Sequence, residues 1–504
     1  MLNRIRENIL PLTVALAFLM ELIDATVLAT AIPVVARDLG VPVLSLKMAM
    51  ATYLISLAAL VPISGWIADR FGARRIFVLA MAIFLVASLL CAVQTTLTGL
   101  VLARALQGVG AAMMSPVGRL IVLRNTEKSE MTRAMVYVIM PALIGPAIGP
   151  FVGATVTTFF GWRAIFLMNL PFGALAIWLT FRNMPKEGPT EAKPFDLPGF
   201  LLSALGLAAA MTGFSALGEH ILPWQLAAAL SLGGLGLLAA YWVHAGKRRD
   251  PLLDPRLFRH RTFDVSVTGG LIFRLSNGAI SLLLPLFFQL GLGATVMLSG
   301  ALTGLNAVGA VAMRGLAPRM LDRFGFKWVM VSAALLRGIT IFGFATVTSL
   351  TDWQLVPLLL IGGAAQSVVF TAVNSIAFAD LEGHEMSAGT AFTAMSRQVS
   401  LALGIALAGV VLELTAGAAA TTAGTEMMPV GAFLASFLIA GLTGPLSALY
   451  FLRLRPGDAD ALRRKRRPVE GIGSSREPYR PPQPAPSQPT CPGAIRPARR
   501  DAAE

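Results

Sequence analysis

The chain of 504 residues has a mean hydropathy of +0.70, is 55% hydrophobic and only 13% charged. Soluble domains carry about 25% charged residues, so a water-soluble globule is excluded and a polytopic membrane protein remains. The formal net charge of +14 would suggest a nucleic-acid partner in a soluble protein, but the cations here follow a membrane pattern and no nucleic acid is expected.

Fourteen apolar runs long enough to cross a bilayer follow one another, starting near Leu10, Leu46, Arg75, Leu97, Ala134, Trp162, Leu197, Trp224, Phe263, Thr295, Phe326, Trp353, Gly389 and Val430. Each is a predicted helix, because only a helix satisfies its own backbone in lipid. Arg4 and Arg6 ahead of the first run imitate a signal peptide. The run is too long for one, has no small-residue cleavage site and carries two acids, so it is expected to stay as a span. Those acids, Glu21 and Asp24, stand in the stretch MELIDATV. A carboxylate at bilayer depth costs about 2.5–3.5 kcal/mol even on a lenient scale. Three residues apart, the two share a helix face. Two close carboxylates in a low dielectric do not both ionise easily, so the pair is expected to take up and release protons. A structural pair neutralised by arginines is the alternative. Asp24 lies about 13 Å from the outer end of its span and Arg104 about 10 Å from the outer end of the fourth, so Arg104 is the expected partner.

The connections alternate in charge. Arg70, Arg74, Arg75, Arg124, Lys128, Arg133, Arg182, Lys186, Lys193, Lys247–Arg249, Arg256, Arg259, Arg261, Arg319, Arg323 and Lys327 fall on one side, and little beyond Arg37, Lys47 and Arg163 on the other. The positive-inside rule puts the first set and both termini in the cytoplasm. The loop 379–386 departs from it, being acidic. After Arg455 a basic cluster, Arg463-Arg464-Lys465-Arg466-Arg467, leads into a Pro-rich segment that cannot build a core and reads as a disordered tail. Its cations read as a topology anchor at anionic lipid, or as a docking point for a partner.

A repeat organises the spans. ADRFG (68–72) follows the second span and LDRFG (321–325) the tenth. Two equivalent turns suggest two homologous halves. Eight spans separate them where a six-span duplication would leave six, so two extra spans, the featureless seventh and eighth, are inserted between the halves. The expected layout is a six-helix half over 1–185, inserted helices and linker over 186–260, a second half over 261–455 and the tail over 456–504.

Several motifs then fall in order. They are G-x-x-A-D-R-x-G-x-R-R over Gly65–Arg75, R-x-x-Q-G-x-G-x-A over Arg104–Ala112, and G-P-x-x-G-P-x-x-G over Gly145–Gly153. Asp24–Pro33 and Trp162, Arg163, Phe166, Asn169 and Pro171 complete the set. On these residues the chain resembles the 14-helix drug:proton antiporter family of the major facilitator superfamily. Two departures stand out: Ala29 occupies the place of the expected Asn in the first-helix motif, and Glu21 is an addition.

The resemblance implies an all-α fold of two six-helix halves about a central cavity, lined by the first, fourth, ninth and twelfth spans. Phe18, Arg274, Asn277, Gln366 and Asn374 are the expected cavity residues, with Phe273 and Phe370 near them. Asp24, Glu21 and Arg104 are expected to carry proton coupling. Gly65, Asp69, Arg70, Gly72, Arg74, Asp322 and Arg323 form either a conformational latch or plain tight turns. Gly145, Gly149 and Gly153 line one helix face and, with Pro146 and Pro150, either seal the joint between halves or only pack it. Arg337 and Arg397 are buried by sequence and have no assigned role.

Other chemistries are excluded. His220, His244, His260 and His384 form no metal motif, and there is no phosphate-binding loop and no nucleophile elbow. The two cysteines, Cys91 and Cys491, imply no disulfide framework. The expectation is a non-enzymatic, monomeric secondary exporter of the bacterial inner membrane. It would use no cofactor beyond the proton gradient, with a small molecule, protons and lipid as partners. An anionic substrate, a proton-coupled uptake symporter and a membrane sensor or scaffold are the alternatives.

Overall fold

The computed structural model describes residues 2–126, 131–185, 195–216, 223–248, 251–381, 385–416, 427–455 and 457–458; for 2–8, 123, 131–137, 139–144, 146–147 and 387 it describes the backbone alone. Lys128, Lys186, Lys193, Arg249, His220, His384 and the expected tail beyond Asp458, with its basic cluster and Cys491, lie outside the described residues.

The protein is a bundle of spanning helices, and among the described residues there is no strand. Thirteen helices are long and apolar enough to cross a membrane. In chain order they are α1 (Ile9–Leu39), α2 (Val43–Phe71), α3 (Ala73–Val93), α4 (Leu97–Val122, continuing to Asn125), α6 (Ala164–Asn183), α7 (Leu197–Ala216) and α8 (Trp224–Lys247). Then come α9 (Arg261–Gly291), α10 (Val296–Arg314), α11 (Phe326–Phe344), α12 (Leu355–Ile376), α13 (Ala388–Ala416, starting at Met386) and α14 (Val430–Phe451). The remaining helix, α5 (Met131–Phe160), has 30 residues, a rise of about 45 Å. It runs unbroken through Pro146 and Pro150. These fourteen match the fourteen apolar runs.

The packing repeats with an offset of eight helices. α1 lies against α5 as α9 lies against α13; α3 against α4 as α11 against α12; α2 against α4 as α10 against α12. The halves are therefore pseudo-equivalent. The inserted helices α7 and α8 pair with each other, and α7 packs on α2 of one half and α13 of the other. Asp196 anchors the start of this pair. Its carboxylate accepts from the Gly199 N–H at 3.1 Å, lies 2.9 Å from the His244 ring and 3.2 Å from Arg248.

Both DRFG turns reverse direction at a glycine with positive φ, Gly72 at 92° and Gly325 at 80°, a region costly for any residue with a Cβ. Gly65 is different. It is exposed and a Cβ there would meet open space, so it is not a position of close helix approach. Close approaches are made elsewhere, the α1–α5 and α5–α10 crossings among them. At the first, a Cβ at Gly145 would meet Leu22, one at Gly149 Thr26, and one at Gly153 the Val27 carbonyl. At the second, Gly300 of α10 packs on Pro150 and Ala154.

Two bonds joining the halves sit at the end of the bundle away from the DRFG turns. Lys47 of α2 meets Glu413 of α13 at 3.0 Å, and Gln289 of α9 donates to the Thr30 carbonyl of α1 at 3.0 Å. Toward the DRFG end, Arg119 of α4 and Asn374 of α12 are exposed although both sit within spanning helices.

Candidate transport site

Asp24 occupies the middle of α1 and is 1% exposed. Its neighbours on the other helices are polar, so the sequence folds a polar node into an apolar half. Arg104 Nη1 donates to Asp24 Oδ2 at 2.6 Å, Gln107 Nε2 to Oδ1 at 2.9 Å and Asn169 Nδ2 to Oδ1 at 2.7 Å. Ser88 of α3 closes the network, accepting from Gln107 at 2.7 Å and from Asn169 at 3.1 Å. Arg104 also donates to Gln107 Oε1 at 2.6 Å, and its guanidinium lies 4.3 Å from the Tyr53 ring centroid. Groups of α4 and α6 bond the Asp24 carboxylate of α1 directly, and Ser88 of α3 and Tyr53 of α2 support those groups. Three donors, one of them cationic, fix its position.

Glu21 turns elsewhere. It is 4% exposed and accepts one hydrogen bond, from Ser115 Oγ at 2.7 Å. The charges acting on it belong to Arg397 of α13 and Arg119 of α4, and only more weakly to Asp24. The two acids share a helix but no partner. Arg104 serves Asp24, as its depth along α4 suggested, while Glu21 bonds to Ser115.

Of the expected cavity residues, Phe18 is buried beneath Arg119, whose guanidinium lies 5.9 Å from its ring centroid. Arg274 is buried, Asn277 and Gln366 are half-buried and Asn374 is exposed. The Asn277 Oδ1 atom is buried with no partner among the described residues. Arg397 lies within electrostatic reach of Glu21, Arg119 and Arg274, which places it with this group and across the seam from α1 and α4. Arg337 is 1% exposed, with Nε and Nη2 unpartnered among the described residues.

Asp69 pairs with Arg124 of α4 at 2.6 Å, and Arg74 donates to the Phe181 carbonyl of α6 at 2.8 Å, both within the N-terminal half. Arg70 and Arg323 are exposed and Asp322 is half-buried. Three residues beside the site, Arg119, Tyr53 and Ser115, carried no motif signal. Gln107 and Asn169 stood inside quoted motifs, and the pairing of Lys47 with Glu413 links two residues 366 apart that nothing in the local pattern connects.

A bundle of two pseudo-equivalent helical halves, joined at one end and holding ionisable groups at mid-depth, is a membrane transporter of the alternating-access class. The chain belongs to the Major Facilitator Superfamily, whose family model matches residues 14–405 and, in a second overlapping match, 266–502. It is 37% identical over 405 residues to MdtD of Salmonella heidelberg (strain SL476), a protein named for multidrug resistance. The match covers 80% of this chain and 85% of that one. MdtD of Salmonella typhi matches to the same extent. Among solved structures the fold is similar to a peptide transporter POT in complex with sulfate, with a TM-score of 0.66 at 14% identity over 88% of this chain and 93% of that one. The POT family transporter PepTSo aligns with a TM-score of 0.63 over 88% and 98%. The protein is a multi-pass membrane transporter and not an enzyme.

Proposed function

We propose that the protein is a secondary active exporter of the bacterial cytoplasmic membrane that moves hydrophobic drugs or related small molecules outward in exchange for protons. The DRFG end, rich in cations, faces the cytoplasm with both termini. In this orientation the contacts of Lys47 with Glu413 and of Gln289 with Thr30, which join the halves, lie on the outer side. The observation that carries the reading is the difference between the two acids: Asp24 accepts from three donors, while Glu21 accepts from a single hydroxyl. Asp24 and Arg104 set the geometry of α1 and α4, and Glu21 carries the proton. The name of the MdtD relatives supports drug export. The test is exchange in proteoliposomes under imposed pH gradients of both signs, with substrates chosen by a resistance screen in an exporter-deficient host. Efflux driven by protons moving the opposite way is the expected result; accumulation with the proton gradient would identify an uptake symporter.

One observation favours a second substrate class. With Asp24 offset by Arg104, the seam holds Arg119, Arg274 and Arg397 against the single carboxylate Glu21. That excess of positive charge suits an anionic metabolite. An anion and the Glu21 carboxylate would then be rivals for the same guanidiniums, so the anion binds best when Glu21 holds a proton. A drug competing with the proton shows the opposite pH dependence of binding, which separates the two.

A further inference from the structure

We infer that the DRFG end of the second half holds a binding site for the headgroup of an anionic phospholipid, in a basic pocket between α9, α11 and α14. The leaflet, cytoplasmic, follows from the orientation proposed above. The headgroup chemistry follows from the pocket itself and holds whatever substrate is carried.

The pocket has a volume of about 610 Å³. Its wall carries Arg259 just before α9, Arg261 at the first residue of α9, Lys327 in the first turn of α11, and Arg453 and Arg455 just past the end of α14. These cations are gathered because α14 packs on both α9 and α11. Gly269 lets α9 come close, since a Cβ there would meet the Phe451 ring. One carboxylate, Asp264, shares the wall and is engaged from within the protein. Tyr450 Oη lies 2.9 Å from both its oxygens, and Thr268 Oγ1 donates to Oδ1 at 3.0 Å. Arg453 stands 3.8 Å from Asp264 and Arg261 3.9 Å from Asp458, both beyond hydrogen-bond distance. Two further acids nearby have other partners: Asp380 accepts from Thr262 at 2.8 Å, and Glu385 lies 3.2 Å from His260. The cations of the wall therefore outnumber the acids and keep donors to spare.

The pseudo-equivalent cleft of the first half is bridged by the protein itself. Arg74 stands two residues past Gly72, as Lys327 stands two past Gly325. Arg74 reaches across to the Phe181 carbonyl of α6 at 2.8 Å, whereas the Lys327 ammonium rests 5.8 Å from the centroid of the Trp328 ring beside it. The cleft between α11 and α14 is thus left for a ligand. An anion with several acceptor oxygens, such as a phosphate, suits guanidiniums and an ammonium converging from three helix ends. The surroundings select a lipid. The cations sit at the ends of spanning helices, level with the headgroups, where an anionic leaflet attracts them. Beside them Trp328 and Leu449, each 64% exposed, and Leu452, 40% exposed, offer apolar surface to acyl chains. A soluble phosphate would have no use for that shoulder.

The test is native mass spectrometry of the full chain, purified in detergent and titrated with phosphatidylglycerol, cardiolipin or phosphatidylcholine. The two anionic lipids should bind about tenfold or more tighter than phosphatidylcholine. Each cation removed should weaken phosphatidylglycerol about fivefold, so Lys327→Gln with Arg453→Gln should lose about 25-fold. Arg182→Gln with Arg319→Gln removes two exposed cations from the same face outside the pocket and should leave the affinity within about twofold. Equal losses in the two double variants, or no preference for anionic lipid in the parent, would overturn the site. Glycerol 3-phosphate, which has the phosphate without the acyl chains, should not displace the lipid; displacement at equal concentration would make this a site for a soluble phosphate and overturn the lipid assignment. A second reading needs no change to the cations. In nanodiscs, brominated phosphatidylglycerol should quench tryptophan fluorescence more than brominated phosphatidylcholine, and Trp328→Phe should remove that difference. A difference that survives Trp328→Phe would place the bound lipid elsewhere.

Discussion

Arg104 and Asp24 meet at 2.6 Å in the centre of the N-terminal half, and neither is more than 1% exposed. The pair is the hub on which α1, α3, α4 and α6 are registered, because Gln107, Asn169 and Ser88 bond to it or to one another.

Removing one partner of this pair should be worse than removing both. Asp24→Asn leaves a buried guanidinium without its anion, a cost of about 3–5 kcal/mol. The combined variant Asp24→Leu with Arg104→Leu eliminates both charges and should be less destabilised than Arg104→Leu or Asp24→Leu alone. Unfolding in detergent micelles, set out as a double-mutant cycle, measures the coupling. Additive losses would show that the two charges are independent.

Glu21→Gln should fold nearly as well as the parent, since it forfeits about 1 kcal/mol of hydrogen bonding at most. Transport by this variant should lose its pH dependence, whereas a folded Asp24 variant should keep whatever pH dependence it can express. Flux in proteoliposomes across the pH range decides between them. Persistent proton-coupled flux in Glu21→Gln would return the coupling role to Asp24.

The sequence made the helices legible because lipid permits so few alternatives: the fourteen apolar runs match fourteen long helices, thirteen of them long and apolar enough to cross a membrane. Arg104 was legible as the partner of Asp24 through depth alone, since rise per residue converts position into height. What stayed hidden is azimuth. Depth does not say that Glu21 points at Ser115 while Asp24, three residues on, points at Asn169. Nor does it say that Asp69 pairs within its own half, or that Lys47 crosses to Glu413, because both depend on how helices are rotated and packed.

The inserted helices offer a pH-dependent prediction outside the membrane. Burial pushes the Asp196 carboxyl up, but the His244 ring, the Gly199 N–H and the Arg248 charge outweigh it and hold the group below the ordinary carboxylate range. A carboxyl depressed on folding stabilises above its unfolded pKa, and that contribution fades as pH falls toward the folded value. Asp196→Asn should therefore lower the melting temperature at pH 7 and make less difference at pH 3, the effect being about 0.5–2 kcal/mol, as for a helix cap. A loss independent of pH would assign Asp196 a packing role only.

At the DRFG turn, the Asp69–Arg124 pair is partly exposed on both sides, at 36% and 32%, and is worth about 0–1 kcal/mol. Asp69→Asn should barely change stability. Exchanging the charges, Asp69→Arg with Arg124→Asp, should recover any transport that Asp69→Asn loses if the pair itself matters. Gly72→Ala should cost more than either, about 1–2 kcal/mol, because φ of 92° strains any residue with a Cβ. Thermal unfolding and flux, measured together, separate the turn from the pair; a Gly72→Ala protein as stable as the parent would remove the backbone argument.

The glycine face of α5 yields the last prediction. Gly149 faces Thr26 of α1, two residues beyond Asp24, and Gly153 faces Val27 and Thr30. Thr30 in turn supplies the carbonyl that Gln289 uses to join the halves, and on the same helix Pro150 and Ala154 receive Gly300 of α10. α5 is therefore wedged between the helix that carries the acids and the helix that closes the seam. A side chain at 149 or 153 must push α1 away or push α5 toward α10. Overpacking of this kind costs about 1–3 kcal/mol. Gly149→Val should lower both stability and the tightness of the seal, read as faster passive proton leak through proteoliposomes carrying the variant. Gly65→Val, at a glycine with nothing within 4 Å, is the control and should not leak. If Gly149→Val is destabilised but leaks no faster than Gly65→Val, the glycine face packs the bundle without sealing it.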